Sequence, residues 1–264
     1  MSVLVGKTKK SQVKYDREAR RAISALYGGV DAKAFELIEA AEYSEIVAVP
    51  ELCAAISLPT ITLVGFSCTF GDDGEREIDI GRYGFFEKKT KAKTEALLAG
   101  LKALGKEVHL VIFIDDFEFR RVWNWFRPQE ELTEECEFQI ELAQEEGKIP
   151  AGSEVGLWSA VEPQARSLGC ASYEEALTWA AAPAQSRAID EIARMRQTYP
   201  RNRDIKLSEL RASSGTGLAV YSLAGETLEL LYPDSIFIHA ADHRRDHMLG
   251  YRRKQPLPII HPWR

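Results

Sequence analysis

Apolar positions along the chain fall into short continuous runs, which suit buried strands, and into longer stretches at helical spacing. Residues 61–64, Ile-Thr-Leu-Val, form a β-branched run that stops at Gly65 and carries Ser67 to its end. Residues 107–114 form the clearest strand pattern, and it runs out into Asp115, Asp116 and Glu118. Shorter strands are predicted over 45–49 and 235–239. Residues 217–223 and 226–231, either side of Ala224-Gly225, read as a hairpin, and 150–169 as a loop with at most a short element.

Helical spacing covers residues 15–27, 31–41 with Asp31 as N-cap, 50–56 opened by Pro50, and 85–104 with a Leu97, Leu101, Leu104 stripe closed by Gly105. It continues over 130–146 around Leu132, Cys136, Ile140 and Ala143, and over 172–197, opened by the Ser172/Glu175 capping box and kinked at Pro183. Strands alternating with helices predict an α/β fold with a mostly parallel sheet and crossover connections. Nothing divides residues 1–264 by composition, so a single domain is expected.

Composition narrows the possibilities. With 45% apolar residues, 264 residues bury a core without staples. No apolar run approaches the roughly 20 residues that span a bilayer, and the basic N-terminus has no apolar leader segment, so a cytoplasmic protein away from membranes is expected. Cys53, Cys68, Cys136 and Cys170 form no Cys-x-x-Cys pair and are expected as reduced thiols. The net charge is −6, but residues 191–264 carry 12 Lys/Arg against 8 Asp/Glu, which leaves −10 on the first 190. That asymmetry permits a local basic surface on an acidic protein.

The candidate chemistry lies at the strand ends. A hydroxyl at the carboxyl end of a strand in an open α/β sheet is placed to act as a nucleophile, or simply to cap the turn that follows. Asp115, Asp116 and Glu118 can act as acid and base, hold a cation or cap the next helix. The polar stretch 72–77 reads as a solvated connection or a lid. Lys88, Lys89, Lys91 and Lys93 crowd the start of one helix, either as a solvated face or as contacts to a phosphate backbone. Arg120, Arg121, Trp123, Trp125 and Arg127 interleave charge and rings, a pattern of core packing or of base stacking. His239, His243 and His247 recur every fourth residue without a visible further ligand, so no metal is expected. No dinucleotide fingerprint and no phosphate-binding loop is present, and the hydrolase elbow lacks its second glycine, so no cofactor is expected.

Leu63-Val64-Gly65-Phe66-Ser67 resembles the nucleophile strand of the cyclodipeptide synthases. The aromatic Tyr83-Gly84-Phe85-Phe86, the lysine-rich helix and the strand ending in acid follow in that family's order. The resemblance covers residues 59–126 and, loosely, the C-terminal third. It implies a Rossmann-like fold similar to the catalytic domain of class I aminoacyl-tRNA synthetases, with Ser67 accepting an aminoacyl group from aminoacyl-tRNA and the lysine helix meeting that tRNA. Gly65, Phe70, Asp115, Asp116 and Glu118 are the implied substrate-binding positions.

The chain departs from the pattern at three points. Phe70 stands where the family has asparagine, Tyr221 and Glu226 are one residue further apart than its Tyr-x-x-x-Glu pair, and His239 falls near its later tyrosine. Tyr221, Glu226 and His239 nevertheless remain the implied catalytic partners, and the acidic trio makes the arginine-using branch one possibility. The expected activity is a tRNA-dependent aminoacyl transfer giving a cyclic dipeptide. A serine-centred hydrolase with His109 or His239 as base is the rival, and a non-catalytic RNA-binding protein is the third reading. DNA is not an expected partner, and the oligomeric state is open.

Overall fold

The apolar run at residue 61 becomes the middle of a five-stranded parallel sheet. In the computed structural model, which describes residues 30–41, 48–67, 84–114, 116, 128–198, 202–239, 251–254 and 256–260, β1 (Thr60–Ser67) pairs with β2 (Glu107–Ile114) on one side and β4 (Ile236–His239) on the other. β3 (Ser153–Leu157) extends the sheet beyond β2, and the two-residue β5 (Ile259–Ile260) extends it beyond β4. The order is therefore β3-β2-β1-β4-β5. It reverses at β1, which places the ligand crevice of such folds beyond the carboxyl ends of β1 and β4.

Period-two alternation sends the strands' side chains to two cores. Ile61, Leu63, Leu110, Ile112, Ile236 and Ile238 pack against α1 (Val30–Ala41), α2 (Val49–Ser57), α3 (Lys88–Ala103) and α4 (Gln129–Glu145). Val64, Val111, Phe113 and Phe237 pack on the opposite face, against α5 (Trp158–Ser167) and α8 (Leu207–Leu231). A third cluster joins α5 and α8 to α6 (Tyr173–Ala180) and α7 (Ser186–Gln197). Lys106 fixes the first layer: its ammonium donates to the carbonyls of Ile56 and Leu58 and pairs with Asp31 at 2.7 Å.

Several sequence expectations change. β1 does not stop at Gly65 but carries its ladder through Ser67, which is in register with Ile114. The predicted hairpin is helix: α8 is continuous for 25 residues and buries Leu218, Ala219, Val220, Leu223, Ala224 and Leu228 on several sides, so its apolar positions show no simple period. Residues 150–169 hold β3 and α5, the latter with Pro163 inside it. The long helix predicted over 172–197 is two helices separated by a 3-10 turn at Pro183–Gln185. The lysine-rich helix starts at Lys88, after a separate 3-10 turn at Gly84–Phe86, and α1 starts at Val30, leaving Asp31 in its first turn. Val49 opens α2 instead of ending a strand; the rest of that strand, the helix predicted at 15–27 and the 72–77 connection lie outside the described residues.

Cys53, Cys136 and Cys170 are buried, and burial pushes the thiols of Cys53 and Cys170 up. Among the described residues no helix is long and apolar enough to cross a membrane.

Candidate active site at the carboxyl ends of the strands

Two of the predicted site positions close neighbouring strands where the strand order reverses. Ser67 is the last residue of β1, His239 is the last residue of β4 in register with Phe66, and β2 ends at Ile114 opposite Ser67. Ser67 and His239 thus lie on adjacent strands, about 5 Å apart across the ladder but one position out of step, so period-two alternation puts the two positions on opposite faces of the sheet. His109 is elsewhere. It is in register with Thr62, five positions or roughly 16 Å down the strand from Ser67. There it lies exposed, with Nε2 3.3 Å from Glu107, so it cannot serve Ser67 as a base.

Phe66 forms a wall beside this edge. Its ring lies 4.6 Å from Trp158 and 5.5 Å from Phe237, both edge-on, and 6.1 Å from Phe113. On the other face Phe85 closes over Gly65. A Cβ at position 65 would stand 2.3 Å from Phe85 Cζ and 3.2 Å from the Ile238 carbonyl. Gly65 is therefore glycine for space, because a fully buried ring occupies the side chain's place. Gly65→Ala is expected to lose about 1–3 kcal/mol in denaturant titration. Combining it with Phe85→Leu should recover part of that loss.

Asp116 stands just beyond β2 with 3% exposure. Its Oδ1 accepts from the Ser159 N–H at 2.9 Å, and its Oδ2 accepts from Ser159 Oγ at 2.5 Å and Thr133 Oγ1 at 2.9 Å. Its carbonyl accepts from Gln129 Nε2 at 2.9 Å. Ser159 is the second residue of α5, whose N-cap, Leu157, has no side chain able to accept. Asp116 thus caps α5 from a different part of the chain and ties it to α4 and β2. Asp115, Glu118, Phe70 and the segment 119–127 lie outside the described residues, as do His243 and His247. Among the described residues there is no group of three His, Cys, Asp or Glu able to hold a metal.

Tyr221 and Glu226 lie on α8, where five residues of separation turn them about 140° apart; a four-residue spacing would have put them on one side. Tyr221 packs between the second and third core clusters. The Glu226 carboxylate accepts from Arg252 Nε at 2.7 Å, both side chains being mostly buried. This partner, 26 residues away in sequence, has no signature in the residue pattern.

The lysines open α3. Lys88 and Lys89 are exposed, while Lys91 is held by Glu95 at 3.1 Å, one turn on. Glu87 caps the helix, accepting from the N–H groups of Lys89 and Thr90 and from the Thr90 hydroxyl. Those bonds, Lys89's first, hold its carboxyl below the ordinary carboxylate range.

Two synthetases share this architecture. A tyrosyl-tRNA synthetase from Archaeoglobus fulgidus, complexed with L-tyrosine, superposes with a TM-score of 0.52 at 14% identity over 86% of this chain and 63% of that one. The Leishmania major tyrosyl-tRNA synthetase, in complex with tyrosinol, gives 0.54 at 13% identity over 88% of this chain and 32% of that one. The fold is tyrosyl-tRNA synthetase-like. The PvcA protein from Pseudomonas aeruginosa has it too, with a TM-score of 0.50 and 11% identity over 89% of this chain and 87% of that one. The chain thus spans about two thirds and one third of the length of the two synthetases. No protein-family model and no curated protein sequence matches it.

Proposed function

We propose that the chain is an aminoacyltransferase that takes aminoacyl groups from aminoacyl-tRNA, stores one on Ser67 and joins two into a cyclic dipeptide. The observation that carries the reading is the position of Ser67, closing β1 next to the end of β4 at the reversal of strand order. In the same fold, two tyrosyl-tRNA synthetases hold L-tyrosine and tyrosinol. An ester on tRNA is already activated, so the transfer needs no nucleoside triphosphate.

In this mechanism Ser67 Oγ attacks the ester carbonyl of the first aminoacyl-tRNA. The bond to the ribose oxygen breaks, and the serine proton leaves on the terminal hydroxyl of the tRNA. The amine of a second aminoacyl-tRNA then attacks the seryl ester, forming an amide and returning a proton to Oγ. The dipeptide's free amine finally attacks its own ester to tRNA, closing the ring and releasing the second tRNA. Both carboxylate oxygens of Asp116 are engaged, by Ser159 and Thr133, so we assign the first aminoacyl amine to Glu226, which Arg252 holds through Oε2. Mass spectrometry of medium from expressing cells tests the proposal: a diketopiperazine above the empty-vector background is expected, and its absence with soluble protein would overturn it.

Lys88 and Lys89 are the proposed phosphate contacts on α3. Lys88→Glu with Lys89→Glu should weaken tRNA binding about tenfold at low salt and flatten its salt dependence, as read by filter binding. Lys91→Glu should matter less, because Glu95 already holds that ammonium.

A serine-centred hydrolase is the rival, with His239 one strand away but on the opposite face of the sheet. It predicts release of free amino acid from aminoacyl-tRNA without a cyclic product.

A further inference from the structure

Residues 251–254 lie across one turn of α8 and grip it at successive points. Arg252 Nε donates to Glu226 Oε2 at 2.7 Å, and its guanidinium lies 5.2 Å over the Trp179 ring. Arg253 donates to the Gly225 carbonyl at 3.0 Å, and the Lys254 N–H donates to Glu229 at 3.0 Å. From there the chain enters β5, which pairs with β4, the strand that ends at His239. The strap therefore links the carboxylate on α8 to the strand neighbouring β1 at the reversal of strand order.

We propose that Arg252 is a positioning residue for Glu226, an inference that rests on Glu226 holding the aminoacyl amine. A glutamate in mid-helix has three side-chain torsions, and a carboxylate that must meet an ammonium in one geometry gains from having one oxygen fixed. Arg252 supplies that fixing, because its planar guanidinium is pinned from a second direction by an aromatic face. Glu226 Oε2 is the tethered atom, and in this proposal the carboxylate's other oxygen meets the ammonium. A lysine at 252 keeps the charge but loses the flat stacking surface and the directional Nε donor.

The test uses the full chain and aminoacyl-tRNA in single-turnover assays of seryl-ester and cyclic-dipeptide formation, with thermal unfolding alongside. Arg252→Ala should lower dipeptide formation at least tenfold, and Arg252→Lys about threefold. Added ethylguanidinium should restore much of the alanine variant's rate in a saturable way. An unchanged rate, or a lowered midpoint with a loss that ethylguanidinium does not reverse, would make the strap merely structural and sink the inference. A faster rate would overturn it in favour of competition between Arg252 and the substrate amine. If the folded wild type forms neither seryl ester nor dipeptide, the proposed function falls together with the inference; an active wild type indifferent to position 252 removes the inference alone.

Discussion

Ser67→Ala is expected to abolish the cyclic dipeptide while leaving the protein folded. The substitution removes one oxygen and keeps a strand residue whose ladder contacts with β2 are made by the backbone, so the thermal midpoint should hardly move. Its chemical effect is large because the first acyl transfer needs an atom to transfer to, and no rearrangement of the binding groups replaces it. Loss of a covalent nucleophile lowers turnover on the order of 10³ or more. Incubation with radiolabelled aminoacyl-tRNA followed by acid precipitation should leave label on the wild-type protein and none on the alanine variant. Ser67→Cys should still be labelled, as a thioester. Cyclic dipeptide from the alanine variant at a tenth or more of the wild-type rate would remove Ser67 from the mechanism.

Asp116→Ala is expected to cost about 3–5 kcal/mol in urea unfolding. Three donors lose their acceptor together, two of them on Ser159 at the start of α5, in surroundings that give little access to water. Each hydrogen bond to a buried charged group contributes about 1.5–3 kcal/mol, and the carboxylate also faces the positive end of the helix dipole. Asp116→Asn keeps the shape and one acceptor and should lose about half as much. Because the carboxylate bridges α4 and α5 at the site edge, activity should fall in step with the folded fraction. A loss below about 0.5 kcal/mol, with activity nevertheless gone, would return Asp116 to the substrate-binding role the sequence offers.

How far the residue pattern reaches depends on how each element is buried. β2 and α4 are readable because β2 is continuously apolar from Leu110 to Ile114 and α4 has a single stripe, Leu132, Cys136 and Ala143, under an acidic face. α8 is not, since it is covered from several sides; the small residues that let α6 and α7 approach it look like turn formers in one dimension. α5 escapes for a different reason. Pro163 sits inside it, and its N-terminal cap comes from Asp116, more than 40 residues earlier. At the strand ends, the residue pattern placed Ser67 at the close of one strand and His239 at the close of another, where the sheet has them. Arg252 stayed hidden because a single arginine among many carries no local mark; what distinguishes it is contact with Glu226 and Trp179.

The pairing of β1 with β4 also bears on the order of assembly. Leu63 finds Ile236 across 173 positions of sequence, with β2, β3 and the six described helices α3 to α8 intervening. Contacts of such sequence separation are slow to form, because the loop they close is long. During synthesis the serine end of β1 emerges well before the strand that completes its crevice. A ribosome-bound chain therefore carries Ser67 without His239 or the 251–254 strap. On the proposed function, the nascent protein surrounded by charged tRNA has the acceptor hydroxyl but not the machinery to use it.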